Sequence, residues 1–501
     1  MFNKILIANR GEIALRVIRT CQEMGISCVA VHSEIDADSL HVRAADSAVA
    51  LGDDQPAESY LNIKKIIKAA KESGAQAIHP GYGFLSENAD FAAACEEAGL
   101  VFIGPPSHVL KKVADKVEAR KLAEQVAVEI TPGTDQPSED IEKLSQAAKQ
   151  LGFPVMVKAA AGGGGKGMRR VDRAQDIKQA LELAASEART AFSNGKLFLE
   201  KCIEKPRHIE VQILADQHDN VVHLFERECS IQRRHQKIIE EAPSPAVDQE
   251  MRARLGAAAI KVIRAAGYQG AGTVEFLFDA GKFYFMEVNA RLQVEHPVTE
   301  FISGLDLVEQ QIRIAAGEPL DFDQASLRLQ GHAIECRIYA EDPQAGFLPS
   351  PGAIAGLHIP SGPGIRFDCG IEVGSQVPVH YDPILAKLIS WGSNRNKAIA
   401  RMIRALKETS ILGVKTPVEL LLQIMESEPF RQAQTTTDFI EKHFSDFKPA
   451  EDKLQIALIG WLVNTLEGSG SQTTSRPAAS GLGVGHQGDP WQRLGHWRLG
   501  E

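Results

Sequence analysis

The stretch VMVKAAAGGGGKGMRRV, Val155 to Val171, places four consecutive glycines and a lysine between two short apolar segments. A Walker phosphate loop has the pattern G-x-x-x-x-G-K-[ST], in which the lysine directly follows the last glycine. Counting from Gly162, the closing glycine is Gly167, and Met168 stands where that lysine would be. Backbone amides in a glycine run can close on an anion, but a glycine run between strands is by itself more typical of a flexible loop. The stretch is therefore no Walker loop, and its partners elsewhere in the chain decide what it does.

Segments N-terminal to this stretch alternate between the patterns of strands and helices. GEIALRVIRTCQEMG has apolar residues at helical spacing and ends at Gly25, a typical helix stop. The loop before it reads NRGE, so it lacks the G-x-G-x-x-G fingerprint of a dinucleotide site. The alternation predicts an open parallel sheet with helices packed on it. Its predicted strands are KILIA (4–8), SCVAVH (27–32), SAVAL (47–51), AQAIH (75–79) and VFIG (101–104).

Helices are predicted for most of 105–130, and a small unit and a set of hairpins follow. Residues 131–203 read as a βαβ-like unit, with strands at 154–160, 168–171 and 196–202 and a helix at 173–192. The predicted hairpins pair 208–216 with 221–229, and 273–278 with 282–288. Beyond 330 the pattern is mixed, with HAIECRIYAED (332–342) as the best strand and a helix at 395–408. The fold class is therefore α/β, with a mixed α+β C-terminal part.

Composition narrows the class of protein further. A chain of 501 residues is longer than one core usually supports, so we expect about two to four domains. The 55 basic and 65 acidic residues give a net charge of -10, which disfavours a general nucleic-acid binder. The seven cysteines are scattered without a C-x-x-C pair, which favours a reducing compartment. No apolar run approaches the roughly 18 residues of a spanning helix, and the N-terminus has no signal-peptide pattern. We therefore expect a cytoplasmic enzyme without a membrane partner.

The segment MEVNARLQVEHPVTE (286–300) carries polar residues at every second position. In an extended segment these side chains share one face: Glu287, Asn289, Arg291, Gln293 and Glu295. A half-solvated strand gives the same alternation, but Glu and Asn are hard oxygen ligands suited to Mg²⁺. Eight extended steps span roughly 26 Å, which is too long for one ion site. We therefore expect a bend after about Asn289, with a metal at the Glu287 end and a second small substrate at the Glu295 end.

Glu275 is the natural third metal ligand, because it lies on the strand that pairs with this segment. A two-residue turn at Ala280–Gly281 sets Glu275 opposite Met286, whereas a one-residue bulge moves it opposite Glu287. Adjacent carboxylates repel each other unless a cation lies between them. The sequence therefore predicts a bulge in this hairpin, and a regular hairpin would count against a shared metal site.

Cations are concentrated in CSIQRRHQKIIEEAPS (229–244). The segment contains Gln232, Arg233, Arg234, His235 and Lys237. A basic surface patch that contacts nucleic acid is one interpretation, which the acidic chain disfavours. Cations that face a triphosphate or another small anion are the better interpretation.

Seven motifs in this order resemble those of the biotin carboxylases, members of the ATP-grasp family. The motifs are IANRGEIALRVIR, HPGYGFLSEN, GGGGKGM, CSIQRRHQKIIEEAP, GYQGAGTVEF, MEVNARLQVEHPVTE and GHAIECRIYAEDP. The resemblance implies a Rossmann-like domain at 1–112, an ATP-grasp domain at 113–330 with a mobile lid at about 131–203, and a C-terminal biotin carboxylase domain at 331–445. It also implies that the glycine loop closes over the phosphates of ATP. Residues 446–501 then hold a helix (454–466), a flexible linker (467–490) and a stretch with two tryptophans, typical of a coupling domain that is missing here.

The same resemblance implies a role for each residue of the site. ATP would be bound by Lys116, Lys158, Gly164, Gly165, Gln232, His208, His235 and the hinge segment Glu200, Lys201, Cys202 and Ile203. Two Mg²⁺ or Mn²⁺ ions would be held by Glu275, Glu287 and Asn289. Bicarbonate would be held by Lys237, Arg291, Gln293 and Val294, with Glu295 as the base. Arg337 would stabilise the enolate of biotin, whose ring would be lined by Tyr82 and Gly83.

The implied activity is the first half-reaction of an acyl-CoA carboxylase, catalysed by an ATP-dependent ligase. Bicarbonate and ATP give carboxyphosphate and ADP, and biotin on a carrier protein is then carboxylated. AGGGGKGM and DPWQRLGHWRLG resemble the α subunits of acetyl-, propionyl- or methylcrotonyl-CoA carboxylases. No Met-Lys pair occurs, so biotin is expected on a separate carrier or a missing domain. A carboxyltransferase partner and a homodimer are expected as well.

Two other functions remain open at this point. One is another ATP-grasp ligase, which joins a carboxylate to an amine and needs neither Arg337 nor Tyr82. The other is a non-catalytic partner in a carboxylase complex, for which lost ligands would be expected. Metal-dependent ATP cleavage separates the second from the enzymes.

Overall fold

The computed structural model of the protein describes residues 1–134, 136–160, 168–192, 194–234 and 236–449. Within this part, residues 1–447 form one unit. Several predictions lie outside the described residues: Gly164, Gly165, His235, the helix at 454–466, the linker at 467–490 and the stretch 491–501. No helix in the described ranges combines the length and the apolar character needed to cross a bilayer.

The N-terminal part is the parallel sheet that the sequence predicts. Its five strands lie in the order β3-β2-β1-β4-β5, and every neighbouring pair is parallel. Strands β1, β2 and β4 are apolar and mostly buried because helices cover the sheet, whereas half of the edge strand β3 is exposed. The elements are β1 (Lys4–Ile7), α1 (Gly11–Glu23), β2 (Ser27–Ser33), α2 (Leu40–Ala44), β3 (Ser47–Gly52), α3 (Ile63–Ser73), β4 (Ala77–His79), α4 (Ala89–Glu97) and β5 (Val101–Phe102).

The strand order reverses between β1 and β4, so the loops after these two strands diverge and leave a crevice. Asn9 follows β1, and its Nδ2 donates to the carbonyls of Pro80 and Tyr82, at 2.7 Å each. This contact holds the two loops together at the edge where a ligand site is expected in a parallel sheet.

A small three-stranded unit follows two helices. The sheet order is β7-β6-β8, and both outer strands are antiparallel to β6. Leu144 and Ala148 of α7 and Leu181 of α8 pack on Val155 and Val157 of β6. Helix α7 is the one element here that the sequence prediction did not include. The elements are α5 (Ser107–Ala114), α6 (Lys116–Gln125), α7 (Ile141–Leu151), β6 (Val155–Ala159), β7 (Arg169–Val171), α8 (Ile177–Phe192) and β8 (Leu197–Lys201).

An eight-stranded antiparallel sheet forms the centre of the molecule, in the order β13-β12-β9-β10-β11-β14-β21-β19. Its strands and the helices between them are β9 (Arg207–Ala215), β10 (Val221–Arg233), β11 (Gln236–Ala242), α9 (Gln249–Ala266), β12 (Gly270–Asp279), β13 (Lys282–Asn289), α10 (His296–Ser303), α11 (Leu307–Ala315) and β14 (His332–Tyr339). The C-terminal elements are β15 (Glu341–Asp342), β16 (Leu348–Pro349), β17 (Gly352–Ala353), β18 (Gly356–His358), β19 (Ile365–Cys369), β20 (Gln376–Val377), β21 (Ile384–Gly392), α12 (Arg395–Glu408), β22 (Ser410–Leu412), α13 (Val418–Glu426), α14 (Glu428–Arg431) and α15 (Phe439–His443).

The two faces of this sheet differ in chemistry. On β9, Ile209, Val211 and Ile213 belong to the apolar core that includes helix α9. His208, Glu210 and Gln212 alternate with them, so they point to the other face. All six side chains are buried, so the polar face is not a solvated one. Buried charge is tolerated only where it is paired, and this face supplies the functional site.

The hairpin of β12 and β13 contains the predicted bulge. Asp279 pairs with Lys282 across a two-residue turn, and Phe276 pairs with Phe285. The register then shifts, so that Glu275 pairs with Glu287. Met286 is the extra residue on β13. The prediction that a bulge sets the two carboxylates opposite each other is confirmed.

Candidate active site

A cavity of about 610 Å³ lies between the loops after β1 and β4, the β12–β13 hairpin and the polar face of the large sheet. It brings together residues from distant parts of the chain. Those of its lining residues that the sequence predicted are Tyr82, Gly83, Lys116, His208, Lys237, Glu275, Glu287, Asn289, Arg291, Gln293, Val294, Glu295 and Arg337.

Lys237 lies at the centre of a cluster of carboxylates. Its Nζ donates to Glu210 at 2.6 Å, Glu295 at 2.7 Å and Glu275 at 2.8 Å. Burial disfavours the charged ammonium, but the three carboxylates outweigh it and raise the pKa of Lys237 well above its usual value. Glu210 and Glu295 also pair with Arg227 and Arg337, so three cations balance the three carboxylates of this cluster.

Glu295 is held as an ionised carboxylate between two cations. One oxygen accepts from Lys237, and the other accepts from Arg337 Nη2 at 2.8 Å. Burial and the neighbouring Glu210 raise its pKa, but Lys237, Arg337 and Arg227 lower it further, so the net pKa of Glu295 lies below its usual value. A buried, ionised carboxylate with both oxygens on donors is suited to accept a proton from a bound substrate.

Glu275 connects this cluster to His208. The amide Nε2 of Gln232 donates to the carbonyl of Cys229 at 2.9 Å and faces His208 Nδ1 at 2.9 Å. Since that nitrogen is a donor, His208 Nδ1 is the acceptor, and His208 Nε2 donates to Glu275 at 2.9 Å. Burial opposes ionisation of Glu275, but Lys237 and His208 together lower its pKa well below the usual value.

The predicted bend begins where β13 ends. The strand stops at Asn289, and helix α10 starts only at His296. Asn289 Nδ2 donates to Glu275 Oε1 at 2.7 Å, and Lys116 Nζ lies 3.7 Å from Glu287 Oε2. Glu275, Glu287 and Asn289 thus offer hard oxygen atoms close together, a donor set that fits Mg²⁺.

Arg291 is fixed by a residue that the sequence analysis missed. Glu87 accepts the backbone N–H of Ala290 at 2.9 Å and Arg291 Nε at 2.8 Å, one on each carboxylate oxygen. Arg291 Nη1 also donates to Gln293 Oε1 at 2.9 Å. Glu87 belongs to the motif HPGYGFLSEN, which was noted without a role for its acidic residue.

Glu210 and Arg227 were also missed. They pair on adjacent strands, with Arg227 Nε donating to Glu210 Oε1 at 2.6 Å, and both are completely buried. Ligand atoms of Glu210, Glu275 and His208 lie within 4.8 Å of one another. The alternation of β9 was the available signal, because Glu210 and Gln212 share the parity of His208.

The other predicted residues that the structure describes lie outside the cavity wall. Glu200 accepts from both Lys158 and Arg120, so it joins the small sheet to helix α6. Lys201 Nζ donates to the carbonyls of Gly152 and Phe153, at 2.9 and 3.1 Å, which turns its side chain toward the end of α7. Cys202 and Ile203 follow the end of β8.

Three family profiles cover most of the chain. "Biotin carboxylase, N-terminal domain" matches residues 1–110, "Carbamoyl-phosphate synthase L chain, ATP binding domain" matches 115–323, and "Biotin carboxylase C-terminal domain" matches 335–442. The chain belongs to the biotin carboxylase family. The biotin carboxylases are ATP-dependent ligases that form a carbon–nitrogen bond, so the resemblance seen in the sequence is confirmed.

Individual relatives agree with this assignment. Biotin carboxylase 2 of Bacillus subtilis is 52% identical over 444 residues, which are 88% of this chain and 100% of the relative. The mitochondrial methylcrotonoyl-CoA carboxylase subunit alpha of Rattus norvegicus is 48% identical over 453 residues, 90% of this chain and 63% of the relative.

Solved structures of biotin carboxylases share the fold. The biotin carboxylase domain dimer of Hydrogenobacter thermophilus 2-oxoglutarate carboxylase, in complex with MgADP, ADP and bicarbonate, has a TM-score of 0.88 at 47% identity. The match covers 90% of this chain and 100% of that one. The biotin carboxylase of Campylobacter jejuni in a β-γ-ATP complex has a TM-score of 0.86 at 47% identity, over 88% of this chain and 99% of that one.

Proposed function

We propose that the cavity carboxylates biotin at the expense of ATP, with Glu295 as the base. The observation that carries this proposal is the placement of an ionised Glu295 between Lys237 and Arg337, beside Arg291. The cations around Glu295 can attract a small anionic substrate such as bicarbonate, and the carboxylate of Glu295 can accept its proton.

The first step activates bicarbonate. It is bound by Lys237, Arg291, Gln293 and Val294, and Glu295 accepts the proton of its hydroxyl. The freed oxygen attacks the γ-phosphorus of ATP while the bond to the β–γ bridging oxygen breaks, giving carboxyphosphate and ADP. Glu275, Glu287 and Asn289 would hold Mg²⁺, which neutralises phosphate charge when it is bound.

The second step transfers carbon dioxide. Carboxyphosphate divides into CO₂ and phosphate, and phosphate takes the proton of the ureido nitrogen of biotin. Arg337 stabilises the negative charge that develops on the ureido oxygen, and the nitrogen attacks CO₂ to form the new C–N bond. Tyr82 and Gly83 line the biotin ring. Exclusion of water from the occupied site would keep carboxyphosphate from hydrolysis.

The other predicted residues are proposed to bind ATP. We infer that Lys116, Lys158, Gln232, His208, His235, Gly164, Gly165 and the segment Glu200–Ile203 bind the nucleotide. Two described contacts support this. Lys116 lies beside Glu287 in the cavity wall, and Lys158 pairs with Glu200 within the small sheet.

We also propose the division of the chain and its partners. The proposed domains are 1–112, 113–330 and 331–445. Each contains one of the three profile matches. A biotin carrier, a carboxyltransferase and a homodimer are supported by relatives named as carboxylase subunits and by a dimer among the solved structures. Seven buried free thiols support a reducing compartment, the cytoplasm.

The test is ADP release from Mg-ATP, with and without bicarbonate and free biotin. Wild-type protein should show bicarbonate-dependent release that biotin increases. Glu295→Gln should lower it by about 10²- to 10⁴-fold, the usual contribution of a general base. Glu226→Gln is the matched control, because Glu226 is equally buried and paired, with Arg252, but lies outside the cavity wall.

The same assay separates the alternatives that the sequence left open. ATP cleavage that ignores bicarbonate and biotin would point to another ATP-grasp ligase. No metal-dependent cleavage in the folded wild type would point to a non-catalytic partner. Either result would overturn the proposed function.

A further inference from the structure

Lys387 is a completely buried lysine that the proposed chemistry does not use. It lies on β21, directly opposite Arg337 on β14 and Asp368 on β19. Two cations on adjacent strands repel each other, and burial makes the cost of each charge larger. A lysine in this position therefore requires a reason.

The contacts of Lys387 join three segments of the cavity wall. Its Nζ donates to the backbone carbonyl of Val294 at 3.0 Å. Glu12 Oε2, from helix α1, lies 3.3 Å away, and Nζ lies 5.6 Å from the centre of the Tyr82 ring. One ammonium thus contacts both the turn proposed to hold bicarbonate and the ring proposed to line biotin.

The bond to Val294 acts directly on the base. The carbonyl of Val294 and the N–H of Glu295 belong to one rigid peptide plane. Because the Cα of Glu295 lies in the same plane, fixing the carbonyl restrains the position of the atom that carries the Glu295 side chain. Glu295 precedes helix α10 and its side chain makes no capping hydrogen bond to that helix, so the turn depends on other contacts.

Stability does not explain the ion pair. Neither oxygen of Glu12 makes a hydrogen bond within the described residues, so the contact with Lys387 is a poorly aligned pair. Buried pairs of this kind are often matched or exceeded in stability by apolar side chains of similar size. A methionine would fill the volume of Lys387 without the cost of burying a charge.

We propose that Lys387 is a positioning residue that holds the Val294–Glu295 peptide in a fixed position relative to the Tyr82 ring. In this way it couples ATP cleavage to biotin carboxylation. The inference rests on the proposed function for its kinetic consequence. Its structural part, the immobilisation of the turn, does not depend on that function.

The experiment compares wild type with Lys387→Met and with the double variant Lys387→Met/Glu12→Gln. The double variant leaves no unpaired Glu12 charge, so it keeps the test open if the single variant folds poorly. Lys65→Met is the control, because Lys65 also donates to a backbone carbonyl, that of Leu51 at 2.9 Å, but lies away from the cavity.

Three kinetic results are expected from the Lys387 variants. The KM for bicarbonate should rise about 10-fold or more, the loss expected for one hydrogen bond from a charged donor. Carboxybiotin formed per ADP should fall, and the KM for Mg-ATP should stay unchanged. Lys387→Arg, which retains a cationic donor, should restore part of the coupling.

Hydrogen–deuterium exchange of residues 290–300 in ligand-free protein tests the structural part by itself. Exchange should be faster in the Lys387 variants than in wild type and in Lys65→Met. Unchanged exchange, or a uniform loss of activity with intact coupling and intact KM for bicarbonate, would overturn the inference. An inactive wild type with faster exchange in the variants would instead overturn the proposed function alone.

Discussion

Glu295 and Glu240 are both buried and both lie beside Arg337, yet their pKa values move in opposite directions. Burial raises the pKa of Glu240 above its usual value, and nearby Glu295 adds to the rise. Glu295 experiences the same burial, but Lys237, Arg337 and Arg227 lower its pKa. Arg337 and Lys237 also lower the pKa of Glu240, but Arg227 is a third cation that acts on Glu295. The additional cation helps to keep Glu295 ionised at neutral pH, as the base proposed above requires.

Glu87 gives a prediction at this scale. Glu87→Gln removes the charge that faces Arg291 Nε at 2.8 Å but leaves an oxygen that still accepts a hydrogen bond. Arg291 should then be less well fixed, and the KM for bicarbonate should rise about 10-fold. Steady-state kinetics with varied bicarbonate measures this effect. Glu58→Gln, an exposed carboxylate of the same domain, is the control, and an equal response in both variants would contradict the role of Glu87.

Individual site residues were predictable from the sequence where a motif or an alternation exposed them. The alternation in 286–300 predicted the bend after Asn289, and the chemistry of Glu and Asn predicted a metal site. The alternation of β9 marks Glu210, and the motif HPGYGFLSEN contains Glu87, but neither pattern shows which cation the carboxylate faces. Lys387 has no comparable signal in the sequence. The partners of these residues are distant in the chain, and a lone acidic or basic residue within an apolar pattern does not reveal which charge faces it.

The β12–β13 hairpin is the element whose geometry sequence reasoning anticipated best. With a two-residue turn at Ala280–Gly281, a metal site shared by Glu275 and Glu287 required one extra residue, and the structure has Met286 in that position. Helix α7 was missed because its amphipathic pattern at 141–151 directly follows the stretch TPGTDQPSED, whose composition indicates turns. Asp140, at the end of that stretch, is the N-cap of the helix.

Glu241 gives a prediction for the contact between β11, β14 and α12. It accepts from His332 and from Arg395, at 2.7 Å each. Burial raises its pKa, but the hydrogen bond from His332 and the charge of Arg395 lower it to about 2. A lowered carboxyl pKa adds stability above its unfolded value of about 4.5, and this stability is lost as the pH falls toward 2.

Glu241→Gln should therefore lower the free energy of unfolding by up to about 3 kcal/mol at pH 7. The difference from wild type should shrink as the pH is lowered from 4.5 to 2. Denaturant unfolding at several pH values measures it. Glu72→Gln breaks an exposed pair with Lys68 and should have almost no effect. A pH-independent deficit in Glu241→Gln would show that lost packing, and not charge, is responsible.

On the scale of the whole molecule, the parallel sheet and two hairpins were predicted from the sequence, whereas helices α7 and α9 and the assembly of the site were not. The βα alternation predicted the parallel sheet, and the hairpins predicted two strand pairs of the antiparallel one. How the two sheets face each other depends on long-range packing, which no local pattern reports. The resemblance to biotin carboxylases supplied what periodicity could not.

Nucleotide binding should stabilise the whole unit if Glu287 holds magnesium. Glu287 has a side chain that is 35% exposed, so Glu287→Gln should leave the ligand-free melting temperature almost unchanged. Mg-ADP at 100 times its Kd should stabilise wild type by about 2.7 kcal/mol, and this increment should be largely lost in the variant.

Differential scanning calorimetry with Mg-ADP, and with ADP and a chelator, measures the increment. Glu309→Gln, which breaks an exposed ion pair with Arg313, serves as the control and should keep it. An increment of equal size in Glu287→Gln would remove Glu287 from the metal site.

The two chemistries of strand β9 have a consequence for mutagenesis. Even-numbered positions from His208 to Gln212 meet the charged site, and odd-numbered positions from Ile209 to Ile213 meet the apolar core. Whether a residue from 208 to 213 is even- or odd-numbered thus predicts which property its substitution changes. Substitutions at odd positions should lower the melting temperature, and those at even positions should lower the reaction rate.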